Sequence, residues 1–194
     1  MDGEQPRFTD ERFTGLEPGG LSAAGAFFLG CHFTDCDLTE LDLSRAHLAE
    51  CTFDRCELAM AKLQATILQD VTFDSCRLTG VNFSVVQQGA MGIQAAFKDC
   101  DLSFCSFHRL DLTDCAFNGS VFREADFRRC ELSRVSFDDC DLHRCVFQQN
   151  DLTFADFRAA RNYLISPYDN RLRGMQVALP EALSLLAELG IDLQ

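Results

Sequence analysis

A large apolar residue returns at every fifth position through most of this chain. The series runs Phe28, Phe33, Leu38, Leu43, Leu48, Phe53, Leu58, Leu63, Leu68, Phe73, Leu78 and Phe83. It resumes at Phe97 and continues through Leu102, Phe107, Leu112, Phe117, Phe122, Phe127, Leu132, Phe137, Leu142, Phe147 and Leu152 to Phe157. We call this position the centre. Two residues before it stands a small side chain, usually Cys or Ala; the residue directly before it is often Asp or Glu, and the two after it are mostly polar. A period of five matches neither the 3.6 of an α-helix nor the 2 of a strand, so the pattern is that of a short solenoid repeat with two inward positions. Taking every fourth centre sets like over like: Phe33, Phe53 and Phe73 on one line, Leu38, Leu58 and Leu78 on another, and Phe107, Phe127 and Phe147 on a third. Steps of fifteen mix Phe with Leu. The pattern therefore predicts an all-β chain wound as a four-sided β-helix, one five-residue unit per side. Six to seven coils at about 4.8 Å each make a narrow rod on the order of 30 Å long.

Between Phe83 and Phe97 the step is fourteen residues, one short of three units. Inserting one unit plus four extra residues keeps the lines intact. Phe73 is then followed by Phe97, Phe117, Phe137 and Phe157, and Cys36, Cys56, Cys76, Cys100 and Cys140 share a column broken only by Ser120. A bulge is thus expected within residues 84–96, tipped by Gln87, Gln88 and Gly89, whose types suit a turn. Val86, Met91 or Ile93 are the candidates to fill the interior there. Residues 1–25 are expected to form an irregular N-terminal cap, although Phe8 and Phe13 are in phase, because Pro18, Gly19 and Gly20 interrupt the period. Residues 26–157 form the repeat proper, and residues 158–178 one degenerate coil in which Leu172 and Val177 keep the phase. Residues 179–194 are read as a helix of about ten residues, opened near Pro180 and closed at Gly190. Leu183, Leu185, Leu186 and Leu189 leave this helix apolar on more than one side. That predicts a cap which also joins two chains in a two-fold dimer.

With 194 residues the chain suffices for one domain. All eleven cysteines stand two before a centre, where a thiol acts as a small buried hydrophobe. Neither disulfides nor a metal site is expected from thiols lined up along a coil axis. No stretch approaches the roughly 20 apolar residues needed to cross a bilayer, and no basic start precedes an apolar run, so a cytoplasmic location is expected.

The net charge of −13 disfavours direct nucleic-acid binding and suits a basic partner. Sorted by side, the charges are uneven. The side centred on Leu48, Leu68, Leu112, Leu132 and Leu152 carries Glu50, Asp70, Asp111, Asp114, Glu131 and Asp151 against Arg134. The Phe33 side carries Asp138 and Asp139 among seven acids against three bases. Opposite the Phe33 side, the Leu43 side holds Arg45, Lys62, Arg109, Arg128 and Arg129 against Asp42 and Asp126. An acid directly before a centre also has a local hydrogen-bonding use. His32, His47, His108 and His143 fall on outward positions of different sides, and no nucleophile–base pairing or phosphate-cradling loop is present. Neither catalysis nor a cofactor is expected.

The repeat resembles the pentapeptide-repeat family, whose fold is a right-handed quadrilateral β-helix. The tail, Asn162-Tyr163-Leu164-Ile165-Ser166-Pro167, then Asn170-Arg171-Leu172, then Leu179-Pro180-Glu181-Ala182 with Leu185-Leu186, is similar to that of the Qnr, MfpA and AlbG type of resistance protein. The resemblance implies a dimeric rod shaped like B-form DNA that binds DNA gyrase or topoisomerase IV and inhibits the enzyme or protects it from quinolone-type or natural-product inhibitors. It also leaves the alternative of a non-catalytic scaffold with an unrelated partner. One bulge stands here where many Qnr proteins have two protruding loops.

Overall fold

The computed structural model describes residues 5–89 and 92–191. The chain is a right-handed quadrilateral parallel β-helix with one short C-terminal helix. One side is a sheet of β1 (Arg7–Thr9), β3 (Phe27–Leu29), β5 (His47–Ala49) and β7 (Ile67–Gln69). The next side is a seven-stranded sheet. It stacks β2 (Arg12–Thr14), β4 (His32–Thr34), β6 (Thr52–Asp54), β8 (Val71–Asp74), β9 (Ala95–Lys98), β10 (Ala116–Asn118) and β11 (Phe137–Asp138). The two remaining sides are held by single parallel bridges, such as Asp37 to Glu57 and Ser106 to Asp126. Every register is a step of twenty, as in Phe33 opposite Phe53, until Phe73 pairs with Phe97. The four extra residues therefore enter without disturbing the Phe column.

The centres are the core. Phe28, Phe117, Phe127, Phe137 and Phe157 are wholly buried. Rings of consecutive coils stack nearly parallel, Phe33 on Phe53 at 4.6 Å and 5°, and Phe107 on Phe127 at 4.9 Å and 3°. Neighbouring columns meet edge to face, as Phe117 and Phe122 do at 5.2 Å and 84°, so the interior combines both favoured aromatic geometries.

The small position does more than fill space. All eleven thiols are free and buried, and most donate to the inward carbonyl of a centre in the preceding coil. Cys76 Sγ reaches Phe53 O at 3.3 Å, Cys105 Sγ reaches Leu78 O at 3.1 Å and Cys140 Sγ reaches Phe117 O at 3.5 Å. Thr66 Oγ1 does the same to Leu43 O at 2.7 Å, and Ser120 Oγ to Phe97 O at 3.4 Å. The column read as broken at Ser120 is thus chemically continuous. A buried carbonyl lacking a second partner is costly, which favours Cys, Ser or Thr over Ala here. Burial pushes Cys105, Cys115, Cys130 and Cys145 up to about 12, so these thiols stay protonated.

Asp before a centre has a fixed local duty. Its Oδ1 accepts from the backbone N–H two residues on: Ser44 N to Asp42 at 2.9 Å, Ser103 N to Asp101 at 3.0 Å and Thr153 N to Asp151 at 2.9 Å.

Three expected segments differ in detail. Within the N-terminal segment read as irregular, β1 and β2 sit in register, with Phe8 stacked on Phe28 at 4.9 Å and Phe13 on Phe33 at 4.7 Å, because these two Phe residues keep the phase, while no strand forms between Thr14 and Phe27 around Pro18, Gly19 and Gly20. At the bulge Val86 and Ile93 are buried and supply the interior, while Met91 lies outside the described residues. The C-terminal helix, α1 (Leu183–Glu188), is six residues long, shorter than the ten read from the sequence. Tighter turns precede it, with Leu183 N bonding Pro180 O and Ser184 N bonding Glu181 O.

Candidate partner-binding surface

The acidic candidates fall on two adjoining sides, and local pairing separates them. On the β1–β3–β5–β7 side, continued past the bulge by the bridges Asp111 to Glu131 to Asp151 to Arg171, Glu50, Asp70, Asp114 and Glu131 are exposed and Asp111 half-buried. Among the described residues none of these five has an ion-pair partner, whereas Asp151 meets Arg171 at 3.1 Å. The Phe-ladder side is largely self-neutralised: Asp35 with Arg55 at 2.8 Å, Asp74 with Lys98 at 2.9 Å, Asp156 with Arg158 at 2.6 Å, and Asp139 with Arg161 at 2.8 Å. The hydrogen bond from Arg55 holds Asp35 below the usual carboxylate range, and Lys98 does the same for Asp74. Such exposed pairs contribute little stability, but they quench the outward field. Asp138 is exposed and has no ion-pair partner among the described residues.

Local duty divides the acids again. Asp111 and Asp151 each accept from the N–H two residues on, from Thr113 at 3.1 Å and Thr153 at 2.9 Å, so their presence is required by the turn. Asp70 and Asp114 stand two after a centre, and neither makes a side-chain hydrogen bond among the described residues. They flank a shallow groove of about 400 Å³ at the corner between the two acidic sides, floored by Ala95, Ala96 and Ala116. Opposite, Arg128 is tied to Asp126 at 2.6 Å and Arg129 Nε to Gln149 at 2.8 Å. Arg45, Lys62 and Arg109 have no ion-pair partner among the described residues.

Gln87, Gln88 and Gly89 are exposed at the bulge. Gln88 folds back onto the next coil, its Nε2 donating to Arg109 O at 3.1 Å and its Oε1 accepting from Asp111 N at 2.8 Å. The four helix leucines do not act alike. Leu183 and Leu189 are exposed, at 41% and 43%, beside exposed Leu179 and Ile191, whereas Leu185 packs against the core and Leu186 is half-buried. Among the described residues no group of three or more His, Cys, Asp or Glu is arranged to hold a metal. No helix among them is long and apolar enough to cross a membrane.

Sequence reasoning missed the exposed Met60, Phe104 and Phe154. A signal existed for two of them. Met60 and Phe154 each lie over a glycine twenty residues on, Gly80 and Gly174, where an added Cβ would fall 2.6 Å from Met60 Sδ and 2.4 Å from the Phe154 ring.

The chain matches two family models, one described as "Pentapeptide repeat region" over residues 26–89 and one as "Pentapeptide repeats (9 copies)" over residues 105–146. Together they span more than half of the 194 residues, and the chain belongs to the pentapeptide-repeat family. No curated protein matches the sequence significantly. Among solved structures the fold is similar to QnrB1, described as a plasmid-mediated fluoroquinolone resistance protein. One trypsin-treated form has TM-score 0.67 and 17% identity over 96% of this chain and 99% of that one. A second has TM-score 0.63 and 17% identity over 97% and 100%. Full-length QnrB1 has TM-score 0.51 and 16% identity over 95% and 100%.

Proposed function

We propose that this protein is a DNA-mimicking rod that binds DNA gyrase or topoisomerase IV in the cytoplasm, and inhibits the enzyme or protects it from quinolone-type or natural-product inhibitors. It acts as a homodimer joined through the C-terminal helix and does not itself bind nucleic acid. The observation carrying the reading is the run of carboxylates Glu50, Asp70, Asp111, Asp114 and Glu131 along one side, without ion-pair partners among the described residues, while the basic Arg45, Lys62 and Arg109, likewise without such partners, are confined to a different, adjoining side. A one-sided negative field on a narrow rod is what a DNA-binding groove accepts in place of a duplex. The tail resemblance and the fold shared with QnrB1 support the target, and the exposure of the apolar Leu179, Leu183, Leu189 and Ile191 in and around the C-terminal helix supports the dimer.

The test is a supercoiling assay with purified gyrase, with and without a quinolone, at several salt concentrations. Reversing Asp70, Asp114 and Glu131 to Lys abolishes the effect on gyrase, while reversing Arg45, Lys62 and Arg109 to Glu leaves most of it. These positions serve better than Asp111, whose turn-forming bond a lysine would remove. Equal effects from the two triples would sink the DNA-like side. The second reading, a scaffold with a partner unrelated to topoisomerases, is favoured by the turn-forming role of Asp111 and Asp151, which accounts for part of the acidity without any partner. It is the reading left if the unaltered protein has no effect on gyrase at any salt.

A further inference from the structure

In regular coils the outward residue before a centre is hydrogen-bonded through its backbone to the preceding coil. Glu131 N donates to Leu110 O at 3.0 Å, and Asp151 N donates to Cys130 O at 3.1 Å. At Asp111 the coil beneath carries the bulge, and among the described residues its N–H has no backbone acceptor there. Its N–H goes instead to Gln88 Oε1 at 2.8 Å, while Gln88 Nε2 donates to Arg109 O at 3.1 Å. One side-chain amide thus offers the acceptor and the donor that a peptide group would have offered. Two more contacts complete the grip. Ile93 N donates to Asp111 O at 3.2 Å, and Gly92, at φ +72°, lies so close that an added Cβ would fall 2.6 Å from Asp111 O.

We propose that Gln88 is the positioning residue of the acidic side. Its amide replaces the missing peptide, and through it the bulge sets Asp111 at the head of the carboxylate row that continues through Glu131 and Asp151. The functional half of this proposal rests on the acidic-side reading given above. The bulge then has a definite use: it interrupts the strand yet holds the first carboxylate beyond the interruption as firmly as the ladder holds the next two. Without Gln88 the Asp111 N–H has no partner among the described residues of the preceding coil, and the turn that carries the carboxylate loses one of its anchors.

The test uses the full-length chain with Gln88→Leu and Gly92→Ala, and with Gln87→Leu as the control, since the neighbouring Gln87 side chain makes no hydrogen bond to Asp111 among the described residues. Amide exchange read residue by residue by NMR follows Asp111, with the Glu131 amide as internal reference. Gln88→Leu accelerates Asp111 exchange on the order of threefold to tenfold, as expected for one lost hydrogen bond, and leaves Glu131 unchanged. Gly92→Ala accelerates it too, and Gln87→Leu does not. Unchanged Asp111 exchange in Gln88→Leu, or equal acceleration in Gln87→Leu, overturns the proposal whatever gyrase does. In the gyrase assay Gln88→Leu weakens inhibition in the parent but adds nothing in an Asp111→Asn background, as required if it acts only through Asp111. An undiminished Gln88→Leu effect in that background overturns the positioning role. If exchange responds as stated but neither Gln88→Leu nor Asp111→Asn alters gyrase, the acidic-side reading fails and the hydrogen-bond assignment stands.

Discussion

Replacing Phe117 by Ala tests the core where its geometry is most complete. Phe117 is wholly buried, lies between Phe97 at 5.5 Å and Phe137 at 5.4 Å, and meets Phe107 and Phe122 edge to face at 6.0 and 5.2 Å. Truncating a buried Phe to Ala costs about 3–5 kcal/mol, depending on how far the surroundings collapse into the space. Collapse is opposed here from both ends. Ala116, Phe117 and Asn118 are paired to one neighbouring coil, and Phe117 and Asn118 to the other, so neither coil can approach without breaking its ladder. Five aromatic contacts, the fifth with Phe127 at 6.3 Å and 81°, each adding about 0.5–1.5 kcal/mol beyond burial, disappear at once. The expected loss therefore lies at the upper end, about 4–5 kcal/mol. The assay is reversible urea unfolding at one fixed protein concentration, because the proposed dimer would make stability concentration-dependent. Phe104→Ala is the control: that ring is 58% exposed, and its removal should change stability by less than about 0.5 kcal/mol. A loss below about 1 kcal/mol for Phe117→Ala, or equal losses for both variants, would refute a filled, register-locked interior.

Two further outcomes follow from the same geometry. The thiols of Cys105, Cys115, Cys130, Cys140 and Cys145 rise from 9.0 to about 12 on burial, so the unfolded chain loses those protons first as pH climbs. Stability from this source is complete below pH 9 and is lost between 9 and 12. Circular dichroism should record unfolding in that window, and a chain still fully folded well above it would contradict the assignment. Leu183→Asp combined with Leu189→Asp should yield monomers by light scattering with circular dichroism unchanged, since both side chains are exposed in the single chain. An unchanged mass would remove the helix from the dimer contact.

The architecture was legible in the sequence because a solenoid turns a three-dimensional packing problem into a one-dimensional one. Each coil touches only its neighbours, so contacts recur at a constant offset, and matching columns of Phe and Cys at twenty residues reveals both the number of sides and the size of the insertion. The register of Phe73 with Phe97 could be read this way before any coordinates. Period also set Asp111, Glu131 and Asp151 on one line, which the bridges between them follow. It could not tell which carboxylates would be free, because pairing depends on the reach and direction of long side chains across coils: Arg55 turns back to Asp35, Arg161 to Asp139, and Arg171 to Asp151. Where the period fails, only the tertiary structure decides. Gln88 lies in the bulge, outside the five-residue phase, and serves the Asp111 amide where the described residues offer no strand partner from the coil beneath. Leu185 turns inward while Leu183 and Leu189 stay exposed because the last coil, not the helix pattern, sets which face is covered.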